Sequence, residues 1–453
     1  MTSFLHLPPE LFRLIVRHVD QPSLKSLRLT CRTLRPATTA KLFHTVRLFP
    51  DDQSCDRMES LLDDPQQREL PRKIYINTLD QDFDPDDADQ QPEAEWPKRW
   101  DTLLPRVKEF DNLRSAVLRL DRNYGAETEY WESSYPHSPA FRFRALDRFF
   151  SMVASLKLPL KELAIRNLQV DNPRSEKTRE ILANILPSLE TLRLTIVSEY
   201  NEAAPEHDIE RPEPHKFYQE LPSTWLAPAA NSLQHLSLVG QDYFGFYPKL
   251  DLSGIHFPHL KSLSLGNYTF SDDSQVEWIL SHAATLEELF FDDCAVLYDV
   301  AIYEENLGRC AISKDETGFR RDDSQFLERK YFRFWDRRWH HLFHTFAEKL
   351  PNLRRFTMGS GRWRYGAPFE KEEDIRVGLF INRYMTCYDG YGPSCYIVRN
   401  HTLQEGERVS PECDREDQEA LRMLLQKLGQ TVQENYTMDD GSNVKDLVSD
   451  RRW

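Results

Sequence analysis

Residues 260–291 read LKSLSLGNYTFSDDSQVEWILSHAATLEELFF, with the phrase L-x-x-L-x-L, or a close variant, at both ends. In each copy the second and third apolar positions stand two apart, as one face of a strand requires, while the first falls on the turn leading in. Between the copies, SQVEWILSHA (274–283) carries apolar residues at helical spacing. The order is strand, loop, helix, strand. Such a unit can bury its apolar edge only against its neighbours, which predicts a parallel sheet with helices outside.

Working outward, the phrase returns as FHTVRL at 43, LKELAI at 160, LETLRL at 189, LQHLSL at 233 and LRRFTM at 353, with weaker copies PRKIYI at 71 and LRSAVL at 113. Successive starts lie 28, 42, 47, 29, 44, 27, 26 and 67 residues apart. The short spacings fit one strand and one helix per repeat, and the long ones require insertions. TREILANIL (178–186) supplies a second connecting helix of the expected period. The phrase resembles the strand part of a leucine-rich repeat, which implies a curved solenoid. The competing reading is an unrelated α/β fold with leucine-rich strands.

Ahead of the array, LPPELFRLIVRHV (7–19) sets Leu11, Ile15 and Val19 at four-residue spacing with Leu14 beside them, behind a proline suited to a first helical turn. Asp20-Gln21-Pro22-Ser23 stops this helix and starts another, whose stripe is Leu24, Leu27 and Cys31, with Leu34 extending it until Pro36 intervenes. About three short helices are expected, too small to bury much alone.

LPPEL, an aliphatic four further on, Asp-x-x-x-Leu-x-x-Leu and TCRTLR together resemble the F-box over roughly residues 4 to 45. Leu34 departs from it, since many family members carry an aromatic there. The resemblance implies that apolar side chains, here Leu7, Pro8, Leu11, Ile15, Leu24 and Leu27, dock a Skp-type adaptor and through it a cullin scaffold. The same leucines would equally serve as the core of a helical hairpin. An F-box followed by repeats resembles F-box and leucine-rich-repeat proteins, and the divergent spacing is similar to fungal F-box-domain proteins.

Bulk properties narrow the function classes. Lys and Arg number 58 against 73 Asp and Glu, a net charge of −15. Residues 1 to 50 alone carry eight Lys/Arg against Glu10 and Asp20. So acidic a remainder disfavours nucleic-acid binding, and the basic N-terminal segment shows no set of base-reading Asn, Gln or Arg on one helix. No stretch approaches the roughly 20 apolar residues that cross a bilayer, and Pro8, Pro9 and Glu10 interrupt any signal-peptide core. Residence in the cytosol or nucleus is expected. The seven cysteines form no C-x-x-C pair and read as reduced thiols.

No phosphate loop, nucleophile elbow or zinc-ligand pair occurs, so no catalytic residue, cofactor or metal is assigned. DQDFDPDDADQQPEAE (80–95) reads as an acidic disordered loop: Pro85 stands where a calcium loop needs Gly. His340, His344 and Glu348 share a helical face in RRWHHLFHTFAEKL, but Trp339, Phe343 and Phe346 make that helix a packing element with its histidines on the polar side. GSGRWRYG (359–366) and INRYMTCYDGYGPSCYIV (381–398) suit either recognition loops or a β-rich cap. DREDQEALRMLLQKLG reads as a terminal helix closed by Gly429.

The sequence therefore predicts an α/β chain: an F-box over 1–45, a degenerate repeat array over 46–360 and a cap over 361–453. Insertions are expected near 77–98, 198–220 and 300–330. The expected function is substrate recognition for a Skp-cullin-F-box ubiquitin ligase, with no catalysis of its own; the alternative is an interaction scaffold outside ubiquitination. Strand alternation nominates Arg166, Arg193, Ser237, Ser264, Phe290 and Thr357 as solvent-facing contacts for a protein target.

Overall fold

The computed structural model describes residues 8–430 apart from 31, 80–93, 123–124, 126–136, 200–210, 311–319, 323–329, 361–375, 381, 389–391, 396, 399–400 and 403–409. Leu7, Cys31, most of the acidic loop at 80–95 and residues 361–366 thus lie outside the described residues. The chain divides into two compact units, residues 1–166 with 173–189, and residues 167–172 with 190–453.

The first unit begins with helices α1 (Pro9–Arg17), α2 (Gln21–Thr30) and α3 (Arg35–Leu42). Pro9 opens α1 at its first position, where a missing N–H costs nothing. Asp20 starts α2 by accepting from the Ser23 backbone N–H at 2.9 Å and the Ser23 hydroxyl at 2.8 Å, bonds that hold its carboxyl below the usual range. Pro36, expected to stop α2, instead lies in the first turn of α3. Phe12, Val16, Leu24 and Leu34 are buried, and α3 packs against both other helices.

Strands β1 (Thr45–Leu48), β2 (Lys73–Asn77), β3 (Ser115–Arg119) and β4 (Glu162–Gln169) follow, all parallel. Helices α4 (Asp52–Asp63), α5 (Trp100–Leu103) and α6 (Pro139–Ala154) connect them, and α7 (Glu176–Ile185) follows β4. The register pairs Val46 with Ile74, Ile74 with Ala116 and Ala116 with Leu163, so corresponding positions of four sequence phrases stand side by side. All four are buried, which is the stacking that an apolar strand edge requires.

In the second unit β5 (Thr191–Val197), β6 (His235–Phe244), β7 (Ser262–Phe270) and β8 (Glu288–Asp292) are parallel neighbours. Leu192, Leu236, Leu263 and Leu289 pair in one row, and Phe356 of a later strand extends it. The spacings of 44, 27, 26 and 67 residues in the sequence are therefore distances between real neighbours. Helix α8 (Pro212–Leu221) fills part of the insertion expected at 198–220, and α9 (Asp273–Leu280) opens on a capping box between Asp272 and Gln275.

The 67-residue gap holds the start of a branch of the same sheet, whose first strand joins β7 through the pairs Thr269–Ala295 and Phe270–Val296. Strand β9 (Ala295–Tyr303) pairs antiparallel with β11 (Lys330–Phe334), which pairs with β10 (Arg320–Asp322). Helix α10 (Trp339–Lys349) then leads to β12 (Arg355–Ser360), flanked by β13 (Arg376–Val377). Strand β14 (Tyr384–Tyr388) returns to lie parallel to β9. Leu297, Val300, Ile302, Met385 and Cys387 form the core of this branch with Phe246 and Tyr247. AVLYDVAIY is an apolar run without the leucine phrase, so a search for that phrase passes over it. A short pair, β15 (Ile397–Val398) and β16 (His401–Thr402), precedes α11 (Asp414–Lys427).

Left-handed backbone occurs within β4 and β7 and just after β8. Asn167, Asn267 and Asp293 have φ of 62°, 55° and 51°. Asn267 donates through Nδ2 to the Gly240 and Gln241 carbonyls at 2.7 and 3.0 Å, where the β6–β7 register shifts between Val239 and Phe244 and the strand ladder leaves backbone groups open. Gly429 closes α11 at φ 68°, and the Gln430 N–H reaches the Leu425 carbonyl at 2.9 Å.

Candidate functional site

Helix α1 has two apolar faces. Phe12 and Val16 point into the helical unit, whereas Leu11, Leu14 and Ile15 are 43, 50 and 39 % exposed on the other side. Positions i, i+3 and i+4 lie on one face, so these three form a continuous apolar stripe open to solvent. Pro8 is also exposed and Leu27 is partly buried. Leu24, expected on the same docking face, is only 3 % exposed and belongs to the core. Leu29, outside the stripe of Leu24, Leu27 and Cys31, is 85 % exposed.

The strand face of the second unit is built differently. Arg193, Ser237, Ser264, Phe290 and Thr357 are consecutive register partners, so five of the six nominated contacts form one row across β5, β6, β7, β8 and β12. Arg166 belongs to β4, where it pairs with Arg119. The expectation that these residues face solvent is corrected: Arg166, Ser237, Ser264, Phe290 and Thr357 are all at most 3 % exposed, and only Arg193 is partly open. Alternation fixes which face a side chain joins but not its depth, and the short serines and Thr357 lie below longer neighbours on the same face. Two residues earlier on each strand, His235, Glu288 and Arg355 flank Ser262 in a parallel row and are partly exposed. The same alternation rule reaches these positions, which the sequence reading left unassigned.

Comparison with protein families matches residues 4–44 to the F-box domain. The chain carries an F-box. Comparison of the whole chain with curated proteins finds no match. F-box domains bind Skp-type adaptors, so the Leu11, Leu14 and Ile15 stripe sits on a domain whose role is adaptor binding. The F-box runs into the array without a linker: α3 ends at Leu42, β1 begins at Thr45, and the Arg72 and Lys73 N–H groups donate to the His44 carbonyl at 2.9 and 3.0 Å. Among the described residues, no helix is long and apolar enough to cross a membrane.

A buried polar centre ties α10, β14 and α11 together. Asp417, fully buried, accepts from Arg383 Nε at 3.0 Å, the Tyr384 hydroxyl at 2.8 Å and the His340 N–H at 3.0 Å, with His340 Nδ1 at 2.8 Å. Asp414 pairs with the other end of the Arg383 guanidinium. Burial would lower the Arg383 pKa, but these carboxylates more than offset it and raise it. Burial and the neighbouring Asp417 carboxylate push the Tyr384 hydroxyl up. His340, Cys413 and Asp417 lie close enough together to hold a cation. The chemistry argues against one, because the Asp417 oxygens are already engaged and a buried guanidinium supplies the positive charge. His340 is thus a structural partner rather than the free polar-face residue expected, while His344 and Glu348 are exposed. Tyr384 and Tyr388, placed by sequence in a recognition loop or a β-rich cap, are buried strand residues.

Proposed function

We propose that the chain is the substrate-recognition subunit of a Skp-cullin-F-box type ubiquitin ligase. The observation that carries this reading is the solvent-facing stripe of Leu11, Leu14 and Ile15 on an F-box continuous with a large strand array. Three large apolar side chains held in water have a folded purpose when a partner covers them. The strand phrases, stacked in register at irregular spacing, support reading the array over residues 46–360 as degenerate leucine-rich repeats of the fungal F-box kind, capped by 361–453.

The mechanism is proximity. The F-box binds the adaptor, the adaptor the cullin, and the array holds a protein target where a thioester supplied by another subunit meets its lysines at raised local concentration. F-box proteins are typically non-catalytic receptors, and this chain needs no reactive group of its own. It acts in the cytosol or nucleus, and Arg193 with the partly exposed His235, Glu288 and Arg355 contributes to target contact.

Purification of the chain from cells with the proteasome blocked tests the reading. Recovery of adaptor, cullin and ubiquitylated clients is expected. Adaptor without cullin or ubiquitylated clients would instead identify an interaction scaffold.

A further inference from the structure

Small residues in the middle of a sheet and large ones at its sides leave a trough. In the second unit, β6 and β7 carry Ser237, Ser262, Ser264 and Gly266 on one face, while β5 carries Arg193 and β8 and β12 carry Glu288, Phe290 and Arg355. From the Arg193 column to the Phe290 column is three strand spacings, about 14 Å. A hollow of about 180 Å³ lies there, lined by Arg193, His235, Ser237, Ser262, Glu288, Phe290 and Arg355. It has room for the end of one side chain and is smaller than the usual small-molecule pocket.

Its floor is incomplete as a protein interior. The Ser237 and Ser264 hydroxyls are buried without a hydrogen-bond partner among the described residues, and Ser237 opens into the hollow. Burying an unpaired hydroxyl is unfavourable, and an oxygen-bearing ligand would reverse that cost. Arg355 stacks over the Phe290 ring at 5.2 Å, so its guanidinium is held at one wall, with Arg193 and His235 at the other side. Two arginines converge on one hollow in a chain of net charge −15. Glu288 opposes them and has no ion-pair partner among the described residues.

We propose that this hollow seats an oxyanion-bearing side chain, a carboxylate or a phosphate, from an extended segment of the protein target. The proposal rests on the receptor reading and gives it a substrate class: targets with an acidic residue in an exposed segment. The guanidinium groups of Arg193 and Arg355 would give charge-assisted hydrogen bonds, and Ser237 would donate to the remaining lone pair.

The test uses the purified full-length chain on an array of short peptides with random flanks and a central Glu, phosphoserine, Gln or Lys. Retention on Glu or phosphoserine peptides over Gln and Lys is expected, and the stronger arm identifies the source of the oxyanion. Arg193→Gln and Arg355→Gln should each weaken that retention about tenfold or more. Glu288→Gln should strengthen it, a gain that misfolding cannot produce. Equal retention of Gln and Glu peptides, preference for Lys, weaker retention by Glu288→Gln, or displacement of every peptide by a single-stranded oligonucleotide would overturn the proposal. No ligase component is present, so a flat array rejects the hollow alone, while failure to recover cullin and ubiquitylated clients rejects the receptor reading alone.

Discussion

The N-terminal helices keep apolar residues at the surface, whereas the second unit keeps polar residues inside. Leu11, Leu14, Ile15 and Leu29 are open to solvent on α1 and α2, while Asp417, Arg383, His282 and Ser264 are almost completely enclosed. The two departures from the ordinary rule have different physical consequences. An exposed leucine costs little in the isolated fold and gains its value when a partner covers it. A buried polar group shapes the fold itself, and its worth depends on whether each hydrogen bond is made.

The contrast predicts a ranking of mutational effects. Asp417→Asn should be the most damaging, about 3 to 5 kcal/mol, because it removes the buried carboxylate of Arg383, leaving only the half-exposed Asp414, and unsettles the His340 and Tyr384 bonds with it. Chemical denaturation followed by tryptophan fluorescence reads it, since Trp339 is buried and donates its backbone N–H to Tyr384. A loss below about 1 kcal/mol would mean that the centre is not a structural tie.

Next comes pH. His282 accepts the Phe257 N–H on Nε2 at 3.1 Å, so its proton sits on Nδ1 and faces the Trp278 carbonyl at 2.9 Å. Burial pushes its pKa from 6.5 down to about 4. The unfolded chain therefore binds this proton first, and stability falls as pH drops from 6.5 towards 4, by about 3 kcal/mol from this one residue. His282→Gln should be less stable at pH 7 yet lose less on acidification; parallel pH profiles for the two proteins would contradict the assignment.

Smaller effects complete the ranking. Gly266→Ala should cost about 1 to 3 kcal/mol, because a Cβ there would lie 2.7 Å from Val239 Cγ1 in the neighbouring strand. Leu14→Ser and Leu29→Ser should each change stability by no more than about 0.5 kcal/mol. Unfolding midpoints measure all three, and a strongly destabilised Leu29→Ser would show that this residue is packed.

Those numbers also explain which parts of the chain were legible in its sequence. The L-x-x-L-x-L phrase located nine strands because each strand repeats one packing problem, and the register pairs the phrases position by position within each unit. The branch through β9 and β14 is less legible, since β9 is a mostly apolar run without the leucine phrase and β14 lies in a stretch that suits either a recognition loop or a β-rich cap. Five of the nominated contacts share one row, but alternation does not give their depth, which depends on the sizes of neighbours two residues and one strand away. His235, Glu288 and Arg355 needed only the same alternation carried two residues back. In the helical unit, periodicity groups Leu11 and Ile15, exposed on α1, with Leu24, buried on α2, because core and contact stripes share one period.

Titration calorimetry of a purified Skp-type adaptor with the full-length chain tests the central claim most directly, comparing the native protein with Leu11→Asp combined with Ile15→Asp. Both side chains are exposed, so the unfolding midpoint should hold while affinity falls by at least about a hundredfold, two buried apolar contacts being replaced by charge. Undiminished binding by the double variant would contradict the assignment of this stripe as the docking face.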